Sequence, residues 1–129
     1  MIVVDSSALI AVVFDEAKAE ACSKALEGET QVLISAAILA ETLVVARRRR
    51  ETEEVERLIV GLDMEIVNVT PASARRVAQA YERWGKGMHP AGLNFGDCFA
   101  YALAKEHSCP LLFVGDDFSK TDIESALQF

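Results

Sequence analysis

Short apolar runs alternate with amphipathic stretches along this chain, and that alternation predicts most of its elements. Ile2, Val3 and Val4 form a continuous β-branched run, the pattern of a strand covered on both faces. An apolar turn over 9–14 follows. Residues 15–26, rich in Ala, Glu and Lys, predict a helix stopped at Gly28. The run 32–34 predicts a second strand, and Ser35 is placed to cap a helix over 36–49. Thr52, with Glu53 and Glu54 behind it, predicts a further helix ending at Gly61.

In 65–69 the apolar and polar residues alternate as in a half-covered strand. Thr70-Pro71 then supplies a cap and a first-turn proline for a helix to about Trp84. Gly85, Gly87, Pro90 and Gly92 mark a loop. Phe95, Phe99 and Leu103 recur at helical spacing within 94–106, and 111–114 predicts a last buried strand that ends in acids. Strands alternating with helices predict an α/β fold with a mainly parallel central sheet, and the absence of repeats or linker composition predicts one domain over 1–129.

Composition narrows the class. Of 129 residues, 51% are apolar and 26% charged, which excludes a disordered or collagen-like chain. Against 13 Lys+Arg stand 20 Asp+Glu, a formal charge of -7, which disfavours purely electrostatic DNA binding. Cys22, Cys98 and Cys109 form no CxxC pair, and His89 and His107 are not at helical spacing from each other; all five are read without a metal or disulfide role. No basic leader or long apolar segment is present, so no membrane association and a cytoplasmic location are expected.

The acids carry the candidate chemistry. Asp5 and the Asp116-Asp117 pair fall at carboxyl ends of predicted strands, where parallel sheets bind ligands. Glu41 borders the apolar stripe of its helix, with Ile38 before it and Val44 and Val45 after, so a partner cation is expected for it. Asp97 opens an apolar helix, and taken alone its preferred reading is a cap. Four carboxylates gathered on one face would repel one another, and a hard divalent cation, Mg2+ or Mn2+, relieves that repulsion. The chemistry so implied is metal-assisted phosphoryl transfer. Arg47, Arg48, Arg49 and Arg50 form a local cationic run, suited either to a nucleic-acid backbone or to a solvated helix end paired with Glu53, Glu54 or Glu56. Phe95, Phe99 and Tyr101 are read as helix packing rather than base-stacking platforms. Val55, Leu58 and Ile59 offer a partner surface or, in the preferred reading, ordinary core.

Four segments together resemble a known family. These are Ile2-Val3-Val4-Asp5-Ser6-Ser7-Ala8-Leu9, the stretch 35–41, Asn94-Phe95-Gly96-Asp97-Cys98-Phe99-Ala100-Tyr101-Ala102-Leu103-Ala104, and Leu111-Leu112-Phe113-Val114-Gly115-Asp116-Asp117-Phe118 with Thr121-Asp122. In this order they resemble the PIN-domain ribonucleases, and within them the VapC-type toxins of bacterial toxin-antitoxin modules. The resemblance implies an α/β/α sandwich and an endoribonuclease that hydrolyses RNA with Mg2+ or Mn2+. Asp5 and Asp97 match the principal metal ligands, Glu41 the third acid, and Asp117 before Phe118 the fourth, with Asp116 adjacent. Ser7 matches a hydroxyl residue supporting the first aspartate, while Asp122 matches a recurring acid read here as a cap. A cognate antitoxin and a homodimer are the implied partners. Two alternatives remain at this level: a phosphatase or phospho-acceptor using Asp5, and a non-catalytic interaction module of the same fold.

Overall fold

In the computed structural model, which describes residues 1–127, four parallel strands form one sheet. In chain order the elements are β1 (Ile2–Val4), α1 (Ser6–Val13), α2 (Ala19–Glu27), β2 (Val32–Ser35), α3 (Ala36–Arg48), α4 (Thr52–Leu62), β3 (Glu65–Val67), α5 (Pro71–Trp84), α6 (Phe95–Glu106) and β4 (Leu111–Leu112). The strands lie in the order β3-β2-β1-β4. Every residue of β1, β2 and β4 is buried, as continuous apolar runs in a doubly covered parallel sheet require.

That order fixes the layers. The crossovers β1 to β2 and β2 to β3 step in one direction, whereas β3 to β4 steps back across the sheet. Right-handed crossovers therefore put α1 to α4 on one face and α5 with α6 on the other, the expected sandwich. The step direction reverses between β1 and β4, and the crevice outside the carboxyl ends of those two strands is the switch point of the sheet. Beyond β4, Leu111 N–H donates to Glu124 O at 2.9 Å and Ala126 N–H donates to Leu111 O at 2.9 Å, so the returning chain covers that edge.

Several boundaries differ from the sequence reading. The expected apolar turn at 9–14 belongs to a full helix, α1, capped by Asp5, whose side chain accepts from Ser7 N–H. Ala8, Leu9, Ile10 and Ala11 are all buried, so the segment lacks a polar face and shows no 3.6-residue period. The next helix starts at Ala19 rather than 15, because Asp15 adopts a left-handed turn at φ 50. Helix α4 is capped at Glu51, not Thr52, runs through Gly61, and stops where Asp63 turns left-handed at φ 48. Strand β3 ends at Val67 and β4 at Leu112, both earlier than predicted. Ser35 and Thr70 cap as expected, through Ala37 N–H and Ser73 N–H. The three cysteines are free thiols, with Cys22 and Cys98 buried.

Candidate functional site

The carboxyl ends of β1 and β4 and the N-termini of α1, α3 and α6 meet at the switch point. Asp5, 4% exposed, leaves β1 and turns the chain into α1. Its Oδ2 accepts from Ser7 Oγ at 2.6 Å and from Ser7 N–H at 3.2 Å. The same Ser7 hydroxyl accepts from Val114 N–H at 3.0 Å, which ties the first aspartate to the loop after β4. That loop turns at Gly115, φ 97, and is anchored by buried Phe118 against Phe113, leaving Asp116 and Asp117 exposed.

Asp97 lies in the first turn of α6, not at its cap. Asn94 is the cap: Asn94 Oδ1 accepts from Asp97 N–H at 2.8 Å and Asp97 Oδ2 accepts from Asn94 N–H at 3.0 Å. Burial above all, with smaller contributions from the charges of Asp5, Asp117 and Glu41 and against the Asn94 hydrogen bond, pushes the Asp97 carboxyl up to about 6. Burial likewise raises Asp5, with Glu41 adding to it and the Ser7 hydrogen bonds opposing. These couplings bring Asp5, Glu41, Asp97 and Asp117 within electrostatic reach of one another. Asp116 does not enter either set; its backbone carbonyl accepts from Ser119 N–H and Oγ.

Glu41 departs from expectation. It is exposed, not sunk in the apolar stripe, and no cation pairs with it among the described residues. Its partner is Ser6, whose hydroxyl donates to Oε1 at 2.6 Å. Its Oε2 packs directly on Gly96, where any Cβ would collide with it. Ser6 and Gly96 thus position Glu41, and neither stands out in the sequence; the available signal was two hydroxyls following an aspartate and a glycine beside another.

The arginine run lies elsewhere. It occupies the C-terminal end of α3 and its exit, six to nine residues beyond Glu41 and so roughly 10 Å along the helix axis. Arg49 pairs with Glu16 at 3.8 Å and stacks over Phe14 at 4.5 Å, and Arg47 donates to Leu43 O. Glu53 and Glu54, the anticipated partners, pair instead with Arg57. Phe95 also corrects its reading as packing: it is 72% exposed, edge-on to Phe99 at 5.0 Å, next to Gly96 and Asp97. Tyr101 is buried and bonds Trp84 and Asp122, so Asp122 is an acceptor for Tyr101 (2.6 Å) and Lys105 (3.2 Å) rather than a helix cap. On α4, Val55 is buried, Leu58 and Ile59 are half-buried, and Val60 is 77% exposed.

Chemically, the cluster is an all-oxygen, all-anionic donor set, which fits a hard divalent cation and not a soft or redox metal. Asp5 and Asp97 are raised first by burial and then by like charges nearby, and a bound cation would oppose both effects. Among the described residues no three acidic, histidine or cysteine side chains stand in a closed ligating arrangement.

Residues 2–124 match the family model of the PIN domain. Ribonuclease VapC30 of Mycobacterium tuberculosis is 43% identical over 124 residues, covering 94% of this chain and 95% of the relative. Ribonuclease VapC42 of the same species is 41% identical over 128 residues, covering 96% and 98%. Among solved structures, Mycobacterium tuberculosis VapC20, described as a sarcin-ricin loop cleaving toxin, superposes with a TM-score of 0.75 at 20% identity, covering 95% of this chain and 96% of that one. VapBC2 from Rickettsia felis, bound to a DNA fragment from its promoter, has a TM-score of 0.70 at 15% identity, covering 97% and 96%.

Proposed function

The chain belongs to the PIN-domain family and to its VapC ribonucleases, and from that premise we propose that it is a metal-dependent endoribonuclease acting as the toxin of a toxin-antitoxin pair. The observation that carries the metal-site reading is the convergence of two buried carboxyls, Asp5 and Asp97, at the switch point, with the charges of Glu41 and Asp117 acting on Asp97. Asp5 and Asp97 are the proposed metal ligands, with Glu41 and Asp117 completing the acid set. Asp117 is preferred to Asp116 because its charge acts on Asp97. Mg2+ or Mn2+, when bound, supplies Lewis-acid polarisation of the phosphodiester and activation of an attacking water.

The chain's own residues do the positioning. Ser7 holds Asp5 in one rotamer and couples it to the β4 loop, while Ser6 holds Glu41 across the mouth of the site. The Asn94 N–H fixes one oxygen of Asp97 and leaves the other without a hydrogen bond among the described residues. A cognate antitoxin with a basic segment is the proposed inhibitor, since the acid cluster attracts such a segment, and a homodimer is the proposed assembly.

The test is cleavage of total and synthetic RNA by the purified protein with Mg2+, with EDTA, and after Asp97→Asn. Cutting that requires Mg2+ and falls by at least about 100-fold in the variant, as for loss of a central electrostatic group, is the expected result. Wild-type activity in EDTA, or full activity in Asp97→Asn, overturns the metal-site reading.

A further inference from the structure

Past the acid cluster the carboxyl edge of the sheet continues across β2 and β3. Between those strand ends, the start of α5 and the middle of α6 lies a cavity of about 100 Å³. It has room for about three waters or one planar ring. Val67, Phe99 and Leu103 form apolar walls, and Ser35, Asn68 and Arg76 a polar edge. Because Val3 pairs with Leu33 in the β1–β2 register, Ser35 is one strand across from Asp5, a separation of about 5 Å. The cavity therefore begins beside the carboxylates, on the same edge of the sheet.

Two observations point to a ligand there. Arg76 Nε is buried with no hydrogen-bond partner among the described residues, although Arg76 Nη2 pairs with Glu106 at 3.0 Å. Asn68, at the exposed rim of the cavity, makes no side-chain hydrogen bond among the described residues, so its amide is free to meet a ligand beside the buried donor. Burying an unsatisfied donor is unfavourable, and an acceptor entering the cavity would remove that cost. Independently, exposed Phe95 and half-buried Phe99 form an edge-to-face pair leading from Asp97 to the cavity wall. An exposed aromatic beside a phosphate-handling site suits the face of an unpaired base.

We propose that this cavity is a nucleobase subsite. It receives one unpaired RNA base next to the scissile phosphate, the heterocycle edge accepting from Arg76 Nε and facing Asn68, while an adjacent base stacks on Phe95. The subsite rests on the ribonuclease reading and assigns its base preference to Arg76.

The test has two arms. In the first, RNAs randomised around a cut site are digested with Mg2+. Wild type favours one base at a fixed flanking position, whereas Arg76→Met, which keeps the aliphatic stem, reduces that preference by about tenfold, the value of one hydrogen bond to a charged group. Phe95→Ala, at an exposed position that does not threaten folding, raises KM about tenfold with the preference retained. In the second, metal-free protein is titrated with uridine, cytidine, adenosine and inosine while the Arg76 Nε–H resonance is followed, and a saturable shift with at least one nucleoside is expected. Unchanged preference in Arg76→Met, or no nucleoside that moves the Arg76 resonance, overturns the subsite. Nucleosides that move Arg76 in a protein that cuts no RNA support the subsite while refuting the nuclease.

Discussion

Asp97 uses one carboxyl for two purposes, closing the capping box with Asn94 and presenting charge to Asp5, Asp117 and Glu41. Its carboxyl titrates near 3.8 when unfolded and about 6 when folded. Between these values the folded state binds more protons at this group than the unfolded one, so the contribution of Asp97 to stability is most favourable at low pH, falls as pH rises through about 6, and is level above. The shift corresponds to roughly 3 kcal/mol as an upper bound. Asp97→Asn retains an oxygen for Asn94 N–H and removes the charge. In EDTA at pH 7.5 it should therefore melt higher than wild type by on the order of 5 °C, with the difference vanishing near pH 4. Calorimetry at the two pH values checks this; equal melting temperatures at pH 7.5 would mean that the buried charge of Asp97 does not destabilise the fold. Adding Mg2+ at pH 7.5 should raise wild type and leave the variant unmoved.

At the level of elements, three helix N-termini supply partial positive charge to an otherwise anionic site, and α3 and α6 meet through Glu41 and Gly96. Ala is favoured over Gly in a helix by about 0.5–1 kcal/mol, so Gly96→Ala should be neutral or stabilising on propensity alone. A methyl group there cannot coexist with Glu41 in its present rotamer. The expected outcome is a folded protein of near-normal melting temperature whose RNA cleavage falls by at least about tenfold, with Ser6→Ala milder because only one hydrogen bond is lost. Unchanged cleavage in Gly96→Ala would remove the positioning role of this contact. The strands and the capped helices α3 and α5 were readable because apolar runs and Ser35, Thr70 and Pro71 are local signals. Helix α1 was not, since a helix buried on all sides has no periodicity to detect. Glu41 was misjudged for a related reason. Periodicity assigns a residue to a face, but whether that face meets core or a solvent-filled crevice depends on where α6 begins, and no local pattern carries that.

For the whole molecule, topology and charge act in opposite senses on an anionic substrate. The strand order gathers acids from residues 5, 41, 97 and 117 at one switch point, whereas the cationic run at 47–50 sits at the other end of α3. With a net charge of -7, phosphate is repelled at this acid cluster unless the acids are neutralised. Binding of a phosphorothioate RNA that resists hydrolysis should therefore be at least about tenfold weaker in EDTA than in Mg2+ at physiological salt, and the Mg2+-dependent part should be lost in Asp5→Asn. With RNA at the carboxyl edge and away from the arginine run, the salt dependence in Mg2+ should be shallow, releasing about one or two counterions. Fluorescence anisotropy across a salt series measures both quantities. Tight binding in EDTA with a steep salt slope would instead place RNA on the arginine run, and would move the substrate path from the switch point to the far end of α3.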